Sequence, residues 1–347
     1  MTSALRFFLI PFTTLVLTGC NPKPATESRV APVLVTERVL HDSDDPAIWI
    51  NPRDSAHVLI VGTDKGGEAG DGGLYAFDLS GKIVNHVRPL QRPNNVDVGY
   101  LTVTSDSLLG IAVITERYTN KIRVFQMPGL EPIDGGGVPV FEGDSLRDPM
   151  GIALYKDPTT QELYAIVGRK SGPPNGYLAQ YHLTLDSTGQ IQGLLVRKFG
   201  TYSGQKEIES IAVDAELGYV NCSDEGVGVR KYYAHPDSTD RQLALFATEQ
   251  FVQDHEGISI FKEPNGLGYI LVSNQQNDSF HVFPRQGSAE NPHHHPLIKI
   301  VPVSTHESDG SDVTSCPLPG FPRGLFVAMS DNGTFQYYRW EDLQIDR

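Results

Sequence analysis

Six short apolar runs, each ending in a polar cluster, recur along the chain at nearly even spacing. They are VLIVGTDK (58–65), GIAVITER (110–117), YAIVGRK (164–170), YVNCSDE (219–225), YILVSNQQ (269–276) and FVAMSDN (326–332). The gaps between their polar steps, at Thr63, Thr115, Gly168, Ser223, Asn274 and Ser330, are 52, 53, 55, 51 and 56 residues. A repeat of this length built from strand-like residues is typical of a β-propeller. The chain is therefore predicted to be all-β, with six blades.

A second series runs in phase with the first, and each of its members begins polar and continues with strand-like residues. The members are DDPAIWI (44–50), NNVDVGY (94–100), DPMGIALY (148–155), EIESIAVD (207–214), DHEGISIF (254–261) and DGSDVTS (309–315). If these are the innermost strands, antiparallel pairing brings each polar start to the same rim as the polar end of the next strand. Turn residues are the alternative explanation, but turns favour Gly, Asn and Asp, whereas these ends are rich in Lys, Arg and Glu.

Charge is divided across this predicted rim. Three cations fall in blades one to three: Lys65, Arg117 and Lys170. The acids assigned to this rim are Asp44, Asp45, Asp97, Glu209, Asp224, Glu225, Asp254, Glu256, Asp309 and Asp312. So many carboxylates in one channel mouth repel one another and raise one another's pKa values unless cations neutralise them.

Oxygen ligands in such number suit Ca²⁺, which takes 6–8 of them, better than Mg²⁺ or Mn²⁺. Zinc is disfavoured because no Cys/His spacing supports it. The neighbouring Lys and Arg side chains suit a polyanion, phosphate above all. A site with both halves is equipped for metal-assisted hydrolysis of a phosphoester.

Two motifs, DDPAIW (44–49) and NNVD (94–97), resemble the signature motifs of the β-propeller phytases, which are calcium-dependent alkaline phytases. The similarity extends through ESIAVD, SDEGVGV, DHEGISIF, SNQQN and FPRGLFVA, and it covers about residues 40–340. The resemblance implies a phosphomonoesterase of the 3-phytase type that removes phosphates from myo-inositol hexakisphosphate (phytate). It also implies several Ca²⁺ ions and a metal-bridged water that attacks phosphorus.

The same resemblance assigns roles to individual residues. It implies metal and water ligands at Asp45, Asp97, Glu209, Glu225, Asp254, Glu256, Gln275 and Asp309, and the charge pattern adds Asp44 and Asp312. Among these, the carboxylates expected to act in catalysis are Glu209, Glu256 and Asp309. Substrate phosphates are expected to bind Lys65, Arg117 and Lys170.

Some positions depart from the family pattern, mostly on the substrate side. Gly99 stands where the family usually has Arg, Met150 where many members have Tyr, and Ser171 where Glu is common; His41 stands where the first motif often begins with Asp. Loss of one charge-assisted contact costs roughly 1.5–3 kcal/mol, which weakens binding without abolishing chemistry. Two alternatives therefore stay open: a hydrolase for another phosphoester or phosphodiester, and a non-catalytic calcium-binding surface propeller.

The first twenty residues, MTSALRFFLIPFTTLVLTGC, have the pattern of a secretory signal, with Arg6 followed by an apolar run that is too short for a stable spanning helix. LTGC (17–20) resembles the bacterial lipobox, which places a lipid on Cys20; a plain signal peptide with an incidental Cys is the alternative. We predict a signal peptide over 1–19, a lipid-anchored Cys20 with a flexible tether over 20–38, and a propeller over 39–347. Because no Asp follows Cys20, we expect a location on the outer membrane or cell surface.

Composition limits the partners further. The formal net charge is −14, from 42 acids and 28 bases, which argues against nucleic acid because binding it needs a basic surface. Cys222 and Cys316 could pair in an oxidising compartment, but separate thiols are favoured because nothing in the sequence places them within bonding distance. A ring closed on itself needs no partner, so we expect a monomer.

Overall fold

A computed structural model describes residues 28–104 and 106–345, so the predicted signal peptide and Cys20 lie outside the described residues. The strands form six antiparallel sheets, and the innermost strands of successive sheets lie side by side around a ring. This arrangement confirms the predicted all-β, six-bladed propeller. Within the described part of the chain, no helix has the length and apolarity needed to cross a membrane.

The strands are numbered in chain order, and the first, β1 (Leu34–Val35), belongs to blade six. Blade one contains β2 (Ser43–Ile50), β3 (Val58–Asp64), β4 (Gly72–Phe77) and β5 (Ile83–Leu90). Blade two contains β6 (Pro93–Thr104), β7 (Ser107–Glu116), β8 (Lys121–Gln126), β9 (Glu131–Pro132) and β10 (Val138–Pro139). Blade three contains β11 (Pro149–Lys156), β12 (Leu163–Arg169), β13 (Asn175–Leu185) and β14 (Ile191–Thr201).

Blade four contains β15 (Ile211–Asp214), β16 (Tyr219–Asp224), β17 (Gly228–Tyr233) and β18 (Ala244–Phe246). Blade five contains β19 (His255–Lys262), β20 (Gly268–Asn274), β21 (Ser279–Pro284) and β22 (Lys299–Pro302). Blade six contains β23 (Ser311–Thr314), β24 (Leu325–Ser330) and β25 (Thr334–Arg339), together with β1. Short 3₁₀ helices span Arg117–Thr119, Gln275–Asn277 and Trp340–Leu343.

The hydrophobic core lies between the blades. In one cluster, Ile111 and Val113 of blade two pack with Ile152 and Val167 of blade three, and burying each such side chain contributes about 1.5–3 kcal/mol. The second strand of each blade is covered on both faces, which is why the six apolar runs are nearly continuous instead of alternating. Cys222 and Cys316 are both free thiols in different interblade clusters, as the sequence favoured.

The ring is closed by the segment that precedes the first repeat. Leu34 pairs with Tyr337 and Val35 with Gln336, so β1 becomes the outer strand of blade six. The sequence had placed residues up to 38 in the tether, whereas the described part of that segment starts the propeller before residue 39. A strand of two residues is too short to produce a periodic pattern in the sequence. Its structural role is to pair with the otherwise unpaired edge of β25.

Irregular pairing near the start of four innermost strands shapes the channel mouth. The register shifts lie between Ser43 and Pro46, Pro93 and Val96, Pro149 and Ile152, and His255 and Ile258. An extra residue in one strand of a pair bends that strand and redirects its side chains. Consecutive acids such as Asp44 and Asp45 lie inside one of these irregular segments, so strict alternation does not decide which way each points.

Candidate functional site

Acids from blades four, five and six gather at one mouth of the channel. The carboxylates of Glu225, Asp254 and Glu256 have oxygens within 4.8 Å of one another, and the same holds for Glu207, Glu209 and Glu225. Glu225 follows β16 and Asp254 precedes β19, whereas Glu256 is the second residue of β19. Glu207 and Glu209 precede β15. Such a group could hold a metal ion. We call Glu209, Glu225, Asp254, Glu256 and Asp309 the rim cluster.

Lys65 connects this cluster to blade one. Its Nζ lies 2.8 Å from Asp309 Oδ2, 3.2 Å from Asp44 Oδ1 and 3.7 Å from Asp42 Oδ2. Burial favours the neutral amine, but Asp44 and Asp309 outweigh that effect and raise the pKa of Lys65 well above its ordinary value. Lys65 is therefore a permanent cation at the boundary between the two halves of the rim.

The ammonium group of Lys65 alone does not neutralise the negative charge of the rim cluster. Burial is the largest cause that raises the pKa of Glu209, and repulsion by Asp44 adds to it. Burial followed by repulsion from Glu209 likewise raises the pKa values of Glu225 and Glu256. By themselves, these carboxylates therefore resist full ionisation, and additional positive charge would allow all of them to ionise.

Two oxygens of the rim cluster also lack any partner that would stabilise their negative charge. Glu225 Oε1 and Glu256 Oε2 are buried and accept no hydrogen bond from the described residues. A buried polar atom without a partner costs roughly 1–3 kcal/mol, and more when the group is charged. The donors that surround these oxygens are carboxylates, which a hard divalent cation prefers. The side chains present therefore fit a metal ion.

Three of the predicted metal ligands form a second group, farther along the innermost strands. Asp45, Asp97 and Asp312 line a channel cavity of about 140 Å³; we call them the channel aspartates. Each accepts a backbone N–H from the next blade: Val96 to Asp45 at 3.0 Å, Leu154 to Asp97 at 2.7 Å, and Ile48 to Asp312 at 2.7 Å. The structure therefore divides the predicted ligand set between the rim and the channel wall.

Burial also dominates the electrostatics of the channel aspartates. It raises the pKa of Asp97 to about 7 and that of Asp312 to about 6, against the opposing effect of the backbone hydrogen bonds. The pKa of Asp45 is raised well above its ordinary value, with burial the largest cause and nearby Asp44 and Asp312 adding to it.

The other two predicted phosphate-binding cations differ from Lys65. Lys170 is exposed, and its Nζ lies 2.9 Å from Glu207 Oε1. The Arg117 guanidinium contacts the sulfur of Met150, and it forms no ion pair within residues 28–104 and 106–345. Gly99 faces blade three, where an added Cβ would lie 2.8 Å from Leu154 Cδ1. The unusual Met150 and Gly99 are thus both accommodated by packing between blades two and three.

The sequence reasoning missed several neighbours of the rim cluster. Lys206 Nζ contacts Asp254 Oδ1, and Gln276 Nε2 donates to Asp254 Oδ2 at 2.8 Å. A carboxylate oxygen of Glu207 lies within 4.8 Å of oxygens of Glu209 and Glu225. Predicted ligand Gln275 donates through Nε2 to Asp309 Oδ1 at 2.5 Å. Glu207 was visible as the first residue of EIESIAVD, but Lys206 lies in an irregular loop with no repeat to mark it.

Comparison with known proteins identifies the family of this chain. The family model for phytase matches residues 2–337. The chain belongs to the phytase family. It is 29% identical over 320 residues to the 3-phytase of Bacillus subtilis (strain 168). The aligned region covers 87% of this chain and 80% of that protein. The family predicted from DDPAIW and NNVD is confirmed, and the chain is an enzyme that hydrolyses phytate.

A solved structure supports the architecture alone. Hydrazine synthase of Kuenenia stuttgartiensis aligns with a TM-score of 0.51 at 12% identity, over 85% of this chain and 83% of that one. Sequence identity this low speaks to the fold of this phytase family member and not to its activity.

Proposed function

We propose that the rim cluster binds several calcium ions, and that phosphate leaves phytate by attack of a metal-activated water on phosphorus. The observation that carries the proposal is the pair of buried, unpartnered oxygens, Glu225 Oε1 and Glu256 Oε2, within a cluster of carboxylates. When bound, the ions would lower the pKa of water and polarise the phosphoryl oxygens.

The donor chemistry favours calcium. Every rim-cluster ligand is a carboxylate, which suits a hard cation with many oxygen ligands. Neither of the two carboxylate groups found at the rim among the described residues includes a His nitrogen or a Cys sulfur, the ligands typical of zinc sites.

The proposed roles of the side chains follow from their positions. Glu209, Glu256 and Asp309 hold the metal at the mouth, with Asp44 and Gln275 beside Lys65 and Asp309. Lys65, held in place by Asp309 and Asp44, presents a fixed positive charge to a bound phosphate. The exposed Lys170 and the half-buried Arg117 would bind further phosphates of the substrate.

An assay of phosphate release tests this proposal. Phytate, glycerophosphate and a phosphodiester should be compared at equal concentration, with Ca²⁺ and with EDTA. We expect the fastest release from phytate, and only with Ca²⁺. Equal rates in EDTA would refute the role of calcium. Preference for the diester would favour the alternative phosphoester hydrolase, for which the departures at Gly99 and Met150 leave room.

We also propose that Cys20 carries a lipid and anchors the enzyme to the outer membrane or cell surface. The support is the LTGC segment at the end of an apolar run. Metabolic labelling with radioactive palmitate should mark the wild-type protein and leave Cys20→Ala unlabelled and in the soluble fraction. Equal labelling of both would refute the anchor.

The closed ring of blades, whose last sheet is completed by β1, supports a monomer. Light scattering of a form that begins after Cys20 should give one chain per particle, and a larger mass would contradict it.

A further inference from the structure

The loop between blades three and four passes over the rim cluster and is fixed on both sides of Lys206. The Tyr202 ring stacks on Tyr177 with centroids 4.3 Å apart. Ser203 donates to Asp224 from its backbone N at 3.0 Å and from Oγ at 2.6 Å. On the other side, Glu207 pairs with Lys170 at 2.9 Å. The loop can therefore keep its place when the Lys206 side chain moves.

A metal ion bound beside Asp254 would compete with Lys206 for the carboxylate of that residue. Its Nζ contacts Asp254 Oδ1, and Asp254 contributes an oxygen to the group with Glu225 and Glu256. The Lys206 side chain is 44% exposed, whereas that of Asp254 is 9% exposed. The ammonium thus reaches into the cluster from the solvent side, and a swing of the side chain returns it to the mouth.

The ammonium and a divalent ion cannot share Asp254 at low cost. Like charges a few ångströms apart repel, and this repulsion is stronger in a partly buried cluster than in open solvent. Gln276 Nε2 already donates to the second oxygen, Asp254 Oδ2, at 2.8 Å, so a shift of the lysine to that oxygen would compete with an existing hydrogen bond and stay close to the metal. Metal binding at this group would therefore release the ammonium into the mouth.

Lys65 makes the contrast clear. It has three carboxylate partners and a side chain that is only 14% exposed, so the loss of one partner leaves it in place. Lys206 has a single carboxylate partner among the described residues. Of the two ammonium groups at the cluster, Lys206 is the one that metal binding would set free.

We propose that Lys206 is a further substrate-binding residue that exchanges partners: it pairs with Asp254 when the cluster is metal-free and binds a phosphate of phytate when metal is present. This inference rests on the proposed function. It predicts that one side chain opposes metal binding and favours substrate binding. A residue that only supports the fold would not produce that combination.

The test uses Lys206→Gln, with Lys198→Gln as the control. Lys198 also pairs with one carboxylate, Asp144, at 2.9 Å, but that pair lies beside Arg169 in blade three, away from Asp254. Calorimetric titration with Ca²⁺ alone should show roughly three- to tenfold tighter binding by Lys206→Gln, because its competitor is gone. The KM for phytate should rise by a similar factor while kcat stays within about twofold, and Lys198→Gln should match the wild type.

Binding of myo-inositol hexasulfate, which carries no phosphoester, gives a readout independent of turnover. With Ca²⁺ present, Lys206→Gln should bind it more weakly than the wild type; in EDTA the two should match. Calcium binding of equal or lower affinity in the variant would overturn the exchange, and an unchanged KM would overturn the substrate contact. If neither protein bound Ca²⁺, the proposed function would fail, and this inference with it.

Discussion

The rim cluster and the channel aspartates use the same type of side chain in one channel, yet their oxygens are satisfied differently. Both oxygens of Asp97 accept backbone N–H groups, from Leu154 at 2.7 Å and Val98 at 2.7 Å. In the rim cluster, Glu225 Oε1 and Glu256 Oε2 have no partner among the described residues. The two groups contain the same kind of acid, but their hydrogen bonds distinguish carboxylates that join neighbouring blades from the cluster that we propose binds a cation.

The largest expected effect separates the two groups by activity. Glu256→Gln removes a charged oxygen donor from the rim cluster and should lower kcat on phytate by about a hundred- to a thousandfold. Asp97→Asn keeps an acceptor oxygen in the channel wall and should lose no more than about threefold. Phosphate release at saturating Ca²⁺ measures both, with circular dichroism to verify folding. Wild-type kcat in Glu256→Gln would contradict the division.

Metal removal should give the next largest effect. Several bound ions would stabilise the folded state through their affinity, so EDTA should lower the Tm of the wild type by on the order of 10 °C. The decrease in Tm should be clearly smaller in Glu256→Gln, whereas Asp97→Asn should show the same decrease as the wild type. Differential scanning calorimetry with and without EDTA gives the comparison. An unchanged wild-type melt would argue against metal binding in the rim cluster.

Titration of a channel aspartate should produce a smaller effect. The pKa of Asp97 is about 7 in the folded chain, against about 3.9 for an unfolded one. The folded protein therefore holds a proton that the unfolded chain has lost, and stability falls as the pH rises from about 4 to about 7. Asp97→Asn cannot ionise and lacks this dependence.

Urea unfolding in EDTA at pH 5 and pH 7 would measure the difference. Between these values, the free energy of unfolding should shift in favour of Asp97→Asn by about 2 kcal/mol relative to the wild type. Comparing the two proteins removes contributions from groups that they share. Parallel pH dependence in both would mean that Asp97 is already ionised in the folded state.

The smallest expected effect lies on the cationic half of the rim. Lys170 is about half exposed, with 48% of its side-chain surface accessible, and has one ion-pair partner. Lys170→Ala should therefore raise the KM for phytate only about three- to tenfold and leave kcat nearly unchanged. Steady-state kinetics would test this, and a large fall in kcat with constant KM would instead place Lys170 at the reacting phosphate.

The sequence by itself determined the repeat, the number of blades and the family. Strands that are covered on both faces are apolar throughout, and each ends at a rim of the propeller. The spacing of the apolar runs and the polar clusters at their ends could therefore both be identified in the sequence. Lys65, Glu209, Glu256 and Asp309 were found in this way because each lies at or next to an end of a repeated strand.

Only the tertiary structure separated Asp45, Asp97 and Asp312 from the rim cluster, brought Lys206 onto Asp254, and used Leu34–Val35 to close the ring. Irregular pairing at the strand starts breaks the alternation that would assign a side chain to one face. One backbone donor to each channel aspartate comes from the next blade. Contacts between segments so distant in the chain leave no periodic trace in the sequence.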